Sequence, residues 1–289
     1  MIRAMRRFVS HLTGRNKYIF FLVLILICIA ALSLGIYGQF FYKYSETDPF
    51  MIGINIGAKK TAEEYSILQS NFNELFDNTL RVNSNDIIVN KLSREKDIVY
   101  TFYNLVNEDE TFYNVNAQIP LLNIDSQVAK KINNKIKEEY YNTANNIMRK
   151  TEGNTVYSVS YVAFINSDYV SIAIKSVLKE QGKSEKVAIK TYTYSMSKER
   201  LVTLEDLIEL KKTTKEVVQV NINDEIKKVY NNAKIIANEY GTLYERDLNS
   251  DIYKVENSNV YFLTDDGYVY IVYPYGNESY TNEVDIVIF

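Results

Sequence analysis

The side chains that could do chemistry in this chain of 289 residues are mostly carboxylates. The sequence has one histidine, His11, and one cysteine, Cys28, and both lie near the N-terminus. The rest of the chain therefore has no residue for a serine–histidine triad, a cysteine–histidine dyad or a histidine-ligated metal. A glycine-rich phosphate loop is absent as well. The sequence thus predicts no cofactor site.

Two pairs of adjacent acids are the strongest catalytic candidates. Glu205 with Asp206, or Asp265 with Asp266, could flank a sugar bond and hydrolyse it. Each pair also has a simpler explanation. The first suits the opening turn of a helix, where the dipole favours acids, and the second precedes Gly267 in a hairpin turn. We predict no catalytic residue, and a carboxylate enzyme acting on peptidoglycan is the alternative.

The turn that contains Asp265 and Asp266 is also a candidate calcium site. Asp265 and Asp266, with Asn257 or Asn259, supply the oxygen ligands that calcium prefers. Their spacing does not match an EF-hand loop. We therefore predict no metal site.

Tyrosine is unusually abundant, with 25 residues and no tryptophan. On one predicted strand Tyr268 and Tyr270 share a face, while Val269, Ile271 and Tyr273 share the other. Tyrosine is common at interfaces because it buries a large area and keeps a polar tip. A half-buried sheet in a tyrosine-rich chain is the simpler interpretation. Under the interface hypothesis, the candidate ligand contacts are Tyr192, Tyr194, Asp265, Asp266, Tyr273 and Tyr275.

A long apolar run precedes all of these residues. Between Tyr18 and Tyr42 there is no charged residue, and about 20 apolar residues span a bilayer as a helix. The charged residues before the run are all basic. This predicts a cytoplasmic N-terminus and an extracellular C-terminal domain at the plasma membrane. A cleaved signal peptide, with its site at Ala31–Ser33, is the alternative, but the run is longer than usual for one.

The parts of the chain before and after this segment differ in net charge. Five of the 33 Lys and Arg residues lie in residues 1–17, which leaves 28 against all 36 Asp and Glu residues, a net charge of −8. That charge argues against a nucleic-acid partner and favours a basic one. One cysteine excludes an internal disulfide, so the outer domain depends on its core.

The outer chain alternates strands and helices. Residues 43–60 resemble a spacer, and apolar spacings of three and four predict a helix over 60–80. That helix either packs on the domain or dimerises with a second copy. The predicted strands are 98–106, 111–119, 156–165, 169–178, 186–196, 260–263, 268–273 and 284–289. The remaining predicted helices are 125–149, 204–210 and 214–240.

Local signals mark several element ends. Residues 107–110 read as a hairpin turn, Pro120 ends the strand pair, and Asn123 or Asp125 can cap the next helix. Thr203 and Asp206 fit a capping box. The element order predicts an α+β fold of antiparallel sheets with packed helices.

Three stretches carry a resemblance to a known family. They are Ala117–Asn133, Thr191–Ile208 with its Thr-Leu-Glu-Asp-Leu turn, and Phe262–Tyr275 through to the C-terminus. Over about residues 98–289 the chain resembles the outer module pair of the lysozyme-sensing anti-sigma-V factors. That pair also stands beside peptidoglycan deacetylase domains. The family pattern has Asn where Ser195 stands and often Gly where Glu199 stands.

The resemblance implies a cell-envelope ligand, either a lysozyme-like protein or cell-wall glycan. The abundance of Asn, Lys, Ile and Tyr indicates a low-GC Gram-positive source. We expect a basic tail (1–17), a membrane helix (18–42), a juxtamembrane spacer and helix (43–97) and an extracellular domain (98–289). Two modules, 98–180 and 181–289, are one way to divide that domain. About 17 tail residues cannot hold a sigma factor. We therefore expect a non-catalytic, membrane-anchored binding or sensing domain, a structural envelope protein being a further alternative.

Overall fold

The computed structural model describes residues 62–77, 89–240, 246–274 and 284–289, the side chains of 236–240 excepted. Within these ranges the chain is an α+β fold rich in antiparallel pairing, as the sequence predicts. The predicted tail, membrane helix and spacer lie outside them. No helix in the described ranges is long and apolar enough to cross a membrane.

The first sheet contains six strands in sequence order. They are β1 Val99–Asp109, β2 Tyr113–Leu122, β3 Thr155–Asn166, β4 Tyr169–Glu180, β5 Lys186–Ser195 and β6 Arg200–Leu201. Neighbours pair antiparallel except β2 and β3, which run parallel through Tyr113 opposite Thr155. The expectation of antiparallel sheets is confirmed except for this one pair. The sheet includes strands on both sides of residue 180, and the division into two modules stays a prediction.

A helical crossover makes the parallel pair. It consists of α2 Gln127–Ile136, a π-helical turn Lys137–Tyr141 and α3 Asn142–Ile147. Ser126 caps α2, because its Oγ accepts from the Ala129 amide at 3.0 Å. The predicted caps Asn123 and Asp125 were wrong. Asn123 is buried and its Oδ1 instead accepts from the Ser93 amide at 2.8 Å.

The crossover packs on one face of the first sheet. Ile132, Ile136 and Tyr140 from the crossover meet Val159 and Ile172 from the strands in the first hydrophobic core. This arrangement is typical of a β-α-β unit, whose helices must cover the sheet that they connect.

The second sheet contains three antiparallel strands, β7 Tyr261–Leu263, β8 Val269–Pro274 and β9 Val284–Ile288. Before it come α4 Leu204–Leu210, α5 Lys215–Tyr240 and two 3-10 turns, Asp251–Tyr253 and Val255–Asn257.

The two faces of β8 enter different cores, as the alternation predicts. Val269, Ile271 and Tyr273 pack with α4 and α5 in the second core. Tyr268 and Tyr270 pack with Val162 and Phe164 of the first sheet in the third core. Two hydroxyls join β7 to the first sheet, since Ser171 accepts from the Leu263 amide at 3.1 Å and Thr191 from the Tyr261 amide at 2.9 Å.

The hairpin between β1 and β2 differs from its prediction in two respects. Pairing continues to Asp109 opposite Tyr113, so the turn begins after residue 109 instead of spanning 107–110. Pro120 lies within β2, opposite Thr101 at a register shift that leaves Phe102 unpaired. A strand tolerates proline at such a bulge, because the missing N–H costs no ladder hydrogen bond there.

The predicted helix over 60–80 is α1 Ala62–Ser70 followed by a 3-10 turn Phe72–Phe76. Phe72 and Phe76 are buried in the third core, and the Phe72 ring lies 6.2 Å from the Tyr270 ring. The apolar face of this segment is thus covered by its own chain. A homodimer through residues 60–80 stays a prediction.

Candidate functional site

Helix α5 presents two different faces near its N-terminus. Val218, Ile222 and Ile226 recur every four residues and are buried in the second core. Gln219 and Asn223 follow Lys215 at the same spacing, which places a polar stripe beside the buried one. The stripe faces residues 248–256, and the space between them is a groove of about 670 Å³. We call this space the α5 groove.

Gln219 fixes the opposite wall of the groove. Its Oε1 accepts from the Val255 amide at 2.8 Å, and its Nε2 donates to the Tyr253 carbonyl at 3.0 Å. One side chain therefore satisfies both a donor and an acceptor of the backbone that carries the two 3-10 turns. This amide holds residues 253–255 against the helix.

Tyr253 forms the floor of the groove. Its ring is buried and meets the Tyr273 ring edge-on, with centroids 5.3 Å apart. The Tyr273 hydroxyl lies 2.6 Å from Ser258 Oγ. Burial, followed by the nearby Asp285 carboxylate, raises the pKa of Tyr253 to about 12. The floor therefore stays neutral at physiological pH.

A buried ion pair anchors the chain where it enters this wall. Arg246 donates from Nε and a terminal nitrogen to the two oxygens of Asp285, at 2.9 and 2.8 Å. The side chains are 8% and 4% exposed. Arg246 also lines a second cavity of about 370 Å³ with Tyr230 and Leu248. Because Leu248 lines the α5 groove too, the two cavities adjoin.

The lining of the groove carries two acids, Glu216 and Glu256, and two lysines, Lys215 and Lys254. Its two lysines are already paired, Lys215 with Glu205 and Lys254 with Asp251. The pKa of Lys215 is raised first by its hydrogen bond to Glu205 and then by the charges of Glu205, Glu256 and Glu216. Further exposed acids at the rim and beside it are Glu216, Asp247 and Glu256. Such a rim attracts a cationic group.

The structure places the predicted ligand contacts in separate locations. Tyr194 is buried in the first core, and its hydroxyl donates to Ser126 Oγ at 2.9 Å. Tyr192 is half-buried on the same face, and burial, followed by Glu139, raises its pKa to about 12. Tyr273 lies in the second core beneath the α5 groove.

Asp265 and Asp266 are exposed in the turn between β7 and β8. Thr264 Oγ1 donates to Asp266, and Lys211 donates to the Gly267 carbonyl at 2.9 Å. Tyr275 lies outside the described residues. Whether any of the six side chains contacts a ligand stays a prediction. Among the described residues no group of three or more His, Cys, Asp and Glu side chains could hold a metal.

The α5 groove was not predicted. The spacing of Lys215, Gln219 and Asn223 was a readable signal for a polar face on α5. No comparable signal marks residues 246–258 as the opposite wall, because two short 3-10 turns give no periodic pattern.

Comparison with known proteins gives matches among solved structures. No family model matches the chain, and no curated protein does. The structures that resemble it include a DUF3298 family protein from Pseudomonas aeruginosa PAO1, with 12% identity and a TM-score of 0.39 over 63% of this chain and 83% of that one. A DUF3298 family member from Bacteroides fragilis NCTC 9343 has 11% identity and a TM-score of 0.31, over 61% and 80%.

Proposed function

We propose that this chain is a membrane-anchored, non-catalytic domain that faces outward and binds a basic protein of the cell envelope, such as a lysozyme. The observation that carries this proposal is the acidic rim of the α5 groove. Its lysines are paired with Glu205 and Asp251, while Glu216 and Glu256 line the groove and Asp247 lines the adjoining cavity. A lysine or arginine of a partner would find both charge and hydrogen-bond acceptors there.

The lowered pKa values of three carboxyl groups support a binding role. Glu180 accepts hydrogen bonds from Lys183 and Lys150, and these bonds lower its pKa to about 2. The Arg200 guanidinium holds the pKa of Asp206 well below its usual range. The Thr214 hydroxyl lowers that of Glu216. A glycosidase needs one carboxyl whose pKa is raised, so that it can donate a proton near neutral pH.

Membrane anchoring is supported by the uncharged run between Tyr18 and Tyr42 and by the basic residues before it. The test is to treat intact cells with a protease and to blot for tags at both ends of the chain. We expect loss of a C-terminal tag and protection of an N-terminal one. Release of the domain by an alkaline wash would argue against an integral anchor.

The binding test uses the full chain in detergent micelles and titrates lysozyme at about 0.01 M and about 0.15 M salt. We expect saturable binding that weakens as salt rises. Replacing Glu216, Asp247 and Glu256 by their amides should weaken it at least about tenfold, which corresponds to about 1.4 kcal/mol. The matched control replaces three exposed acids elsewhere, Glu110, Glu152 and Glu185. Equal losses in both variants would show that net charge, rather than the groove, attracts the partner.

A separate assay tests the enzymatic alternative. The chain is incubated with purified cell-wall material, and the released fragments are analysed. We expect no release above that of a heat-treated sample. Fragment release that disappears on mutation of Glu205 or Asp265 would overturn the non-catalytic proposal.

A further inference from the structure

One face of the first sheet is only partly covered. The second sheet covers this face near the C-terminal end of β3, where Val162 and Phe164 belong to the third core. Towards the other end, the side chains of β1, β2 and β3 on this face are exposed or half-buried. We call this region the open sheet face and define it by Asn104, Val106, Asn114, Asn116 and Ser158.

The strand register places these side chains side by side. Val106 is opposite Asn116, and Asn116 is opposite Ser158. Asn114 stands two residues from Asn116 and therefore points to the same side. Adjacent strands lie about 4.8 Å apart and alternate residues about 6.8 Å apart, so the side chains form a regular lattice.

The lattice is uncharged, although charged residues make up 24% of the chain. Two charged residues adjoin it on the same side, Glu108 directly opposite Asn114 and Lys179 on β4 opposite Val156. Each asparagine amide can donate two hydrogen bonds and accept two. The side chains of Asn104, Asn114 and Asn116 are exposed and make no hydrogen bond within the described ranges.

An aromatic ring stands at the end of this lattice. Phe102, the residue left unpaired at the bulge of β1, is 48% exposed. Its ring contacts the Tyr103 ring edge-on at 4.6 Å and the Tyr100 ring edge-on at 6.2 Å. Val106, two residues beyond Asn104, is 72% exposed. The face thus combines an exposed apolar ring with a row of amides.

We propose that the open sheet face binds a neutral glycan chain that carries N-acetyl groups. Acetamido and hydroxyl groups pair with the asparagine amides in both directions, and the apolar side of a sugar ring covers Phe102. The two adjoining charges, on Glu108 and Lys179, are of opposite sign, so they cancel and match an uncharged polymer. Docking a second protein here would bury several amides, each of which costs free energy unless it finds a partner.

The inference rests on the proposed function in one respect, since an outward-facing domain is the one that meets cell-wall glycan. The site itself is separate from the α5 groove. The two can therefore fail independently, because lysozyme binding reports on the groove and glycan binding reports on the sheet.

The experiment titrates the full chain in detergent micelles with two probes, an N-acetylglucosamine hexamer and its fully deacetylated counterpart. The deacetylated hexamer is cationic, so an acidic protein would attract it by charge alone. We expect the acetylated probe to bind at least about fivefold more tightly. Equal or tighter binding of the cationic probe would overturn the proposal, as would the absence of saturable binding of the acetylated one.

Substitutions locate the site. Asn116→Asp keeps the side-chain shape but replaces the amide donor with a charge, and we expect about a fivefold loss for the acetylated probe. Phe102→Ala should cause a similar loss. The matched control is Asn221→Asp, which adds the same charge on the exposed side of α5. Unchanged binding in both open-face variants would overturn the assignment. So would a concentration-dependent dimer that Asn116→Asp disrupts, since a second copy would then occupy the face.

Discussion

Arg246 and Asp285 join the wall of the α5 groove to the last strand of the second sheet through two parallel hydrogen bonds of 2.9 and 2.8 Å. The two residues are 39 positions apart, and both side chains are almost fully buried. A buried pair of this kind contributes little net stability, yet the loss of one partner is costly, because the other charge remains buried alone. The pair therefore fixes where residue 246 can lie.

Asp285→Asn should destabilise the fold by about 3 kcal/mol, since it leaves the Arg246 charge without its carboxylate. Urea unfolding followed by tyrosine fluorescence measures this, because the chain has no tryptophan. The matched control is Asp251→Asn, which breaks the exposed pair with Lys254 and should cost less than about 1 kcal/mol. Similar costs for the two variants would contradict the special role of the buried pair.

Gln219→Leu should loosen the groove wall without unfolding the domain. Leucine fills a similar volume but leaves the Val255 amide and the Tyr253 carbonyl without their side-chain partner. Hydrogen exchange at the Val255 amide should become about tenfold faster, in line with a loss of about 1.4 kcal/mol. Asn221→Leu, on the exposed side of the same helix, is the control and should leave that amide unchanged. An unaltered rate in Gln219→Leu would show that packing alone holds the wall.

Asp206→Asn should produce a pH-dependent loss of stability. Its carboxylate accepts from Arg200 at 2.6 and 2.8 Å and from the Thr203 amide at 2.7 Å. The guanidinium is the largest cause that holds the pKa of Asp206 below its ordinary 3.8. A lowered folded-state pKa means that the stabilisation is complete above the unfolded-state pKa and is lost as pH falls below it.

At pH 7 the wild type should therefore exceed the Asp206→Asn variant by about 1 kcal/mol in unfolding free energy. The difference should shrink as the pH falls from about 5 towards 2. Urea unfolding at several pH values measures it, and Asp224→Asn, at an exposed position of α5, is the control. A difference that grows on acidification would contradict the sign of this argument.

This capping box shows which features the sequence could predict. Thr203 and Asp206 satisfy each other within four residues, so the helix start needs no knowledge of the rest of the chain. The same locality explains the correct faces of Tyr270 on β8 and of Tyr268 directly before it. Alternation along a strand is fixed by the pleat, whatever the strand packs against.

Features that depend on distant residues could not be predicted in this way. The parallel pairing of β2 with β3 follows from the crossover between them, and β-strand patterns do not encode direction. Asn123 is as good a cap by type as Ser126, but tertiary contacts with Ser93 and residues 95–97 occupy its side chain. The α5 groove needs residues 246–258 opposite α5, and Arg246 reaches its partner 39 residues away.

The last prediction compares two fully buried tyrosines, of which only one has a hydrogen-bonded hydroxyl. Tyr140, in the π-helical turn, is 1% exposed and its hydroxyl has no hydrogen-bond partner within the described part of the chain. Tyr194 is equally buried, but its hydroxyl donates to Ser126 Oγ, the cap of α2. Burial raises the pKa of both phenols.

Tyr140→Phe should therefore leave the free energy of unfolding unchanged or raise it by about 1 kcal/mol, since it removes a polar atom buried without compensation. Tyr194→Phe should lower it by about 1 kcal/mol, because it removes a made hydrogen bond and leaves Ser126 with one partner fewer. Parallel urea titrations of the two variants compare the same chemical change at equal burial. If Tyr140→Phe proved the more destabilising, its hydroxyl would have to be satisfied in solution by a group such as an ordered water, which would give the π-helical turn a polar interior.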